Sequence, residues 1–192
     1  MALTIPPPSD AFSLPCSRGT GRPLLRRAVF AALSLVIARA FSYLLLDYAR
    51  LARLTTEFIE RDNRQTLGLW LRAHAHPQDR VFLECPGIIG YYSGLRMLDY
   101  PGLVSPEVSE VVRRQGRGLA RAALTLAPEW MVLRPFELRR VRTIAEEDLR
   151  RDYTIAQVFD QERELQSRLP DRRSVLYDSV FIVLRRRDVP VL

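Results

Sequence analysis

Hydrophobic and polar positions divide this chain into one solid apolar block and a longer, patterned, arginine-rich remainder. Residues 28–46, AVFAALSLVIARAFSYLLL, number 19 and at about 1.5 Å each approach the roughly 30 Å hydrocarbon core of a bilayer. That block predicts a transmembrane helix. Beyond it, Leu51, Leu54, Phe58, Ile59, Leu67, Trp70 and Leu71 recur at roughly helical spacing between Tyr48 and His74, and Pro77 ends the segment. Short β-like runs follow at Arg80 to Glu84, Arg96 to Tyr100 and Trp130 to Leu133, separated by helices from Pro106 to about Arg114 and from Leu119 to Leu126. The stretch from Phe136 to Arg151 is charged and predicts a helix in its second half, and Tyr153 to Phe159 reads as a strand. Ser174 to Arg185, SVLYDSVFIVLR, carries the strongest β signal of all. The last two segments are expected to pair antiparallel at a sheet edge, with residues 160–173 as a surface helix or loop between them. The predicted fold class is α/β: a small mixed, mainly parallel sheet flanked by helices, preceded by one transmembrane helix.

Three regions follow: a flexible cytoplasmic tail over residues 1–27, the span over 28–46, and an extracytoplasmic α/β domain over 47–192. Arg18, Arg22, Arg26 and Arg27 before the span, against Arg50 and Arg53 after it, set the N-terminus inside by a modest margin. Arg39 interrupts the span near its middle. An arginine there costs about 2.5–3.5 kcal/mol, against about 0.3–0.6 gained per Leu, Ile, Val or Phe, so a partner helix that covers it is expected. A polytopic membrane protein is the expected partner through Arg39. Ala38-Arg39-Ala40 also fits the small-x-small rule of a cleaved signal peptide, but apolar residues continue past it through Leu46, which favours an uncleaved anchor. Cys16 and Cys85 fall on opposite sides of the span, so no disulfide is expected and Cys85 is a packed thiol at a strand end.

The formal charge is +7, and all 29 basic residues are arginine, with no lysine. They are scattered from Arg18 to Arg187 among acids rather than gathered on one element, which argues against nucleic acid and for a membrane surface. Catalytic patterns are missing. His74 and His76 form an H-x-H pair without a third ligand, and G-Y-Y-S-G around Ser93 lacks the spacing of a nucleophile elbow. The acids Glu146, Glu147, Asp148 and Asp152 have arginines three or four positions away, as solvated helix faces do. No phosphate loop or dinucleotide fingerprint occurs. No catalytic residue, metal or cofactor is expected.

The richest stretch is VFLECPGIIGYYSGLRMLDYPGLVSPEV, residues 81–108. Gly87, Gly90 and Gly94 frame Tyr91, Tyr92 and Ser93 in an expected turn between two strands, and two strand ends and a helix start converge there. Ligands sit at such places in open α/β sheets. Tyr91 and Tyr92 would offer ring faces, and Ser93, Arg96 and Asp99 hydrogen bonds; the same residues could merely shape the turn. The run GIIGYYSGLRMLDYPGLVSPEV, with RQTLGLWLRAHAHPQDRVFLE before it and APEWMVLRP after it, resembles the extracytoplasmic C-terminal domain of polytopic membrane glycosyltransferases. These are the polyprenyl-phosphate-sugar-using enzymes related to the protein O-mannosyltransferases. The likeness rests on Trp70-Leu71, Gly87, Tyr91 to Gly94, Asp99, Gly102 and Leu103, and covers roughly residues 48–185. It implies a domain that assists recognition of a polyprenyl-phosphate-linked sugar or its acceptor. In that family the catalytic acids lie in a loop among N-terminal membrane helices, which this sequence does not contain, so catalysis by this chain alone is not expected. The alternative is a structural protein that docks on a membrane partner without a sugar ligand.

Overall fold

A computed structural model describes residues 22–170 and 173–190, in two units, Met1–Tyr48 and Ala49–Leu192. Within the first unit, everything from Arg22 onward belongs to helix α1 (Arg22–Leu54). Residues 22–27, expected in the tail, are therefore helical, while the rest of the expected tail, with Cys16, lies outside the described residues. Leu33, Leu35 and Leu45 are exposed on different sides of α1, the mark of a helix whose apolar surface does not face a protein core. The helical stretch Leu24–His74 holds an 18-residue window of mean hydropathy 2.1, none of it buried. It is long and apolar enough to cross a membrane. Arg39 donates a 3.2 Å hydrogen bond to the Tyr43 hydroxyl, one turn on, and lies 5.5 Å from the centre of that ring. Its first polar partner is thus on its own helix.

The second unit is a three-layer α/β/α domain. Its elements are a π-helical segment (Thr55–Gln65), α2 (Thr66–His74), β1 (Arg80–Leu83), α3 (Pro86–Ser93), β2 (Arg96–Asp99), α4 (Pro106–Gln115), α5 (Leu119–Leu126), β3 (Trp130–Leu133), α6 (Pro135–Asp152), β4 (Tyr153–Asp160), α7 (Glu162–Arg168), a 3-10 turn (Arg173–Asp178) and β5 (Val180–Arg186). The strand order is β2-β1-β3-β5-β4. Side chains alternate across the sheet as strand geometry requires. Phe82, Leu98, Met131, Leu133 and Leu184 pack with α4, α5 and α6 on one face, through residues such as Val108, Ala123 and Val141. On the other face, Val81, Leu83, Trp130, Val132 and Val183 pack with Leu67 and Leu71 of α2 and Ile89 of α3. The π-helical segment widens the turn, so Phe58, Ile59 and Asn63 are buried together, and Phe58 and Ile59 join Leu165 and Leu169 in a satellite cluster.

Four expectations change. The sheet is mixed without being mainly parallel: β1 pairs parallel with β2 and β3, while β5 pairs antiparallel with β3 and β4. The expected β4–β5 pairing is present, but β5 also slots in beside β3, which adds a second antiparallel junction. The turn expected around Tyr91 is helix α3, started by Pro86 and stopped by Gly94 at φ +68° in the left-handed region. The helix expected in the second half of its segment is present, but α6 extends back to Pro135 across a non-helical kink at Ala145, because Glu137 reaches back to cap the Arg134 amide. Only the second part of Ser174 to Arg185 is a strand; up to Asp178 the chain forms the 3-10 turn, which Arg64 and Asn63 hold from the π-helical segment.

Helices α2 and α3 approach closely at Gly68, where an added Cβ would lie 2.9 Å from the Ile89 carbonyl oxygen and 2.9 Å from the Tyr92 Cβ. Backbone oxygen cannot move out of the way as a flexible side chain can. Gly68→Ala should therefore destabilise the domain by about 1–3 kcal/mol through overpacking. Urea unfolding of the full chain in detergent, followed by the fluorescence of Trp70 and Trp130 in the adjoining core, measures this.

Candidate functional site

Two concave regions stand out on the α/β domain. The first contains the tyrosines. Helix α3 leaves Tyr91 81% exposed, packed edge-on against Tyr92 at 5.1 Å between ring centres. Together with Gly87 and Ile88 of α3 and Thr56, Glu60, Arg61 and Gln65 of the π-helical segment, they line a groove of about 560 Å³. Glu60 accepts a 2.7 Å bond from Arg64 through Oε1, but its other oxygen, Oε2, is buried and has no hydrogen-bond partner. A buried carboxylate oxygen without a donor is costly, and it marks the Glu60 carboxylate as held in the groove wall by Arg64 alone.

The other expected site residues are placed differently. Ser93 is buried; its hydroxyl donates to the Gly90 carbonyl and accepts from the Leu95 amide, closing the end of α3. Asp99 is buried too, with its carboxylate accepting the amides of Leu103 (2.6 Å) and Val104 (3.0 Å). It organises the loop after β2. Arg96 is exposed and ion-paired with Glu107. Of the five, the structure brings only Tyr91 and Tyr92 to a common groove.

The second region is the crevice outside the carboxyl ends of β1 and β3. From β1 the chain crosses to β2 on one side and returns to β3 on the other, so this is the switch point at which open α/β sheets bind ligands. Glu84 and Cys85 follow β1 and Arg134 follows β3. Arg134 is only 3% exposed. It makes ion pairs with Glu84, with Glu137 at 3.2 Å and with Asp178 at 2.6 Å, donates to the Cys85 sulfur at 2.5 Å, and lies 4.7 Å from the Tyr177 ring centre. Asp178 also accepts from Arg64 at 2.6 Å. A chain of alternating charge thus runs Glu60–Arg64–Asp178–Arg134, ending on Glu84 and Glu137.

Burial works against the Arg134 charge, yet Glu137, Glu84 and Asp178 outweigh it and push its pKa up. Glu137, 2% exposed, moves the other way for an acid: burial raises it from 4.5 to about 7 against the pull of Arg134, and the neighbouring Glu84 adds to the rise. Burial also pushes the Cys85 thiol up, so it is not an activated thiolate. None of these crevice groups was among the expected site residues. The signal for them was R-P-F-E directly after a strand, a helix-start pattern with Pro at the first position and Glu at the third. Elsewhere, His74 donates from Nδ1 to the Trp70 carbonyl and stacks on that indole at 4.2 Å. Glu146 and Asp148 pair with Arg150 and Arg151 on the surface of α6.

The sign of the Glu137 effect on stability is definite. An acid whose pKa is raised on folding stabilises the fold fully below its unfolded value, and that contribution is lost as pH rises through the folded value. Over about pH 4.5–7 the native chain should therefore lose stability relative to Glu137→Gln, which can keep accepting from the Arg134 amide. From 4.5 to about 7, at about 1.4 kcal/mol per pH unit, the difference is on the order of 3 kcal/mol. Glu129, held down to about 2 by the hydrogen bonds from Arg80 although burial opposes this, acts with the opposite sign and below that window. Urea titrations of both proteins at a series of pH values separate the two.

No curated protein matches this sequence, and no solved structure matches it. One family model does, over residues 52–179, and that range contains Glu60, Tyr91 and Tyr92 of the groove and Glu84, Arg134, Glu137 and Asp178 of the crevice. The chain belongs to the family described as a domain of unknown function, DUF8728.

Proposed function

We propose that this chain is a single-pass membrane protein whose α/β domain, held outside the cytoplasm, binds a polyprenyl-phosphate-linked sugar or its acceptor and is not catalytic by itself. The observation that carries the reading is the groove at Tyr91 and Tyr92, where an exposed aromatic ring shares the lining with the Glu60 carboxylate, Arg61 and Gln65. Sugars suit such a place: their C–H faces pack on aromatic rings, and their hydroxyls donate to a carboxylate. Arg61 and Gln65 add further hydrogen-bonding groups on the same wall, and Arg61 can also meet a phosphate. The resemblance to the soluble domains of polyprenyl-phosphate-sugar glycosyltransferases supports the same ligand class. The apolar surface of α1 supports the membrane anchor.

Calorimetry on the full chain, in a detergent free of sugar and phosphate, tests the ligand. Polyprenyl-phosphate glucose should bind, and Tyr91→Ala should weaken it about tenfold or more, with no change in unfolding because the Tyr91 ring packs on little else. Binding that is indifferent to Tyr91 would remove the groove from the reading.

Topology is tested separately. A periplasmic-type reporter fused after Leu192 should be active only in the exported compartment, and the mature chain should keep residues before Phe41. A mature N-terminus at Phe41 would establish the signal-peptide alternative instead.

A further inference from the structure

The crevice at the carboxyl ends of β1 and β3 takes no part in the tyrosine groove. It is a cavity of about 430 Å³, within the range of small-molecule sites, lined among others by Glu84, Tyr100, Arg117, Glu137, Arg140 and Tyr177. Its charges are sorted. At the inner end, Glu84 and Glu137 stand over the buried Arg134, which satisfies both and fixes their positions. At the mouth, Arg117, between α4 and α5, and Arg140, on α6, are exposed and make no ion pair with any described residue, so both guanidinium groups are free to meet an anion in the cavity they line. Between the two ends the wall is aromatic, Phe136 packing on Tyr177 at 4.7 Å, with Arg140 5.8 Å from the Phe136 ring centre.

We infer that this crevice is a second ligand site, for a hydroxylated small molecule that carries a phosphate. The phosphate sits at the mouth between Arg117 and Arg140, and the hydroxyls reach the Glu84 carboxylate across the aromatic wall. Each feature selects one part of that ligand. Two unpaired guanidinium groups favour a dianion and reject a neutral sugar. The Glu84 carboxylate, which keeps solvent contact beside its bond from Arg134, can accept from a ligand hydroxyl, a donor that an apolar chain does not offer. The crevice lies at the place where the crossing of the strands opens the sheet, which keeps backbone from filling it.

The same chemistry has two sources, a free sugar phosphate and the headgroup of a lipid-linked sugar phosphate. The experiment is calorimetry on the full chain in a detergent free of sugar and phosphate, with glucose 1-phosphate, inorganic phosphate, glucose and polyprenyl-phosphate glucose. Glucose 1-phosphate should bind at least tenfold tighter than inorganic phosphate or glucose. Arg117→Gln with Arg140→Gln should weaken it at least tenfold, and Tyr91→Ala should leave it unchanged. If glucose 1-phosphate fails to bind but the lipid-linked sugar binds and loses affinity in the arginine variant, the site stands and its source is the lipid headgroup. Absence of binding by both, equal binding of inorganic phosphate, or binding indifferent to the two arginines would overturn it. Because Arg117 and Arg140 are exposed, unfolding of the variant should match that of the native chain, and a Glu84→Gln variant supplies a second test at the inner end, with an expected loss of similar size. The tyrosine-groove reading has its own readout, so either site can fail while the other stands.

Discussion

The domain depends on one buried charge. Arg134 is out of water at the end of the central strand β3, and a guanidinium in that position cannot shed its proton to escape the cost of desolvation. It must be met by carboxylates, and the three that meet it come from separate places: Glu84 after β1, Glu137 in the first turn of α6 and Asp178 before β5. A planar donor fork can serve several acceptors at fixed angles, which a lysine ammonium on a flexible stem would do poorly. Arg134 thereby fixes the ends of two parallel strands, the start of a helix and the entry to an antiparallel strand. Removing any one acceptor leaves less countercharge around a cation that stays charged.

The consequence reaches both concave sites. Asp178 is shared between Arg134 and Arg64, and Arg64 in turn holds Glu60, so the groove and the crevice lie at opposite ends of one chain of paired charges. The π-helical segment contributes Glu60, Asn63 and Arg64 to this arrangement, beside the buried Phe58 and Ile59. Asn63, fully buried, donates 2.7 Å to the Ser179 carbonyl and ties the same segment to the start of β5.

The sequence made local elements legible because their causes are local. Strand β3 and helix α5 have their expected bounds, since four apolar residues between turn signals and an alanine-rich apolar stripe leave little choice. What the sequence obscured depends on distant partners. Helix α3 hides behind glycines that read as turn formers: Gly90 is small because Met97 packs against it, where an added Cβ would lie 3.0 Å from Met97 Cγ. The antiparallel place of β5 beside β3 is a matter of tertiary order, on which the alternation of its side chains is silent. The candidate site divides along the same line. Exposed Tyr91 was visible in a single motif. The occupation of Ser93 and Asp99 by backbone amides and carbonyls was not, because short polar side chains at loop ends serve the backbone and ligands through the same atoms. Pairings such as Arg64 with Asp178, or Glu84 with Arg134, join residues too far apart in the chain for any spacing rule.

The all-arginine composition acquires a structural sense in this light. A charge of +7 suggests a surface that attracts polyanions, but many of the domain's arginines are engaged with carboxylates of the same domain. On exposed helix faces such pairs contribute little to stability, on the order of a few tenths of a kcal/mol. They do neutralise the surface locally. A cation is then conspicuous only where no acid has been placed beside it, and Arg117 and Arg140 at the mouth of the crevice are two such positions. Net charge therefore says less about what this domain attracts than which unpaired arginines line a cavity, as Arg117 and Arg140 do.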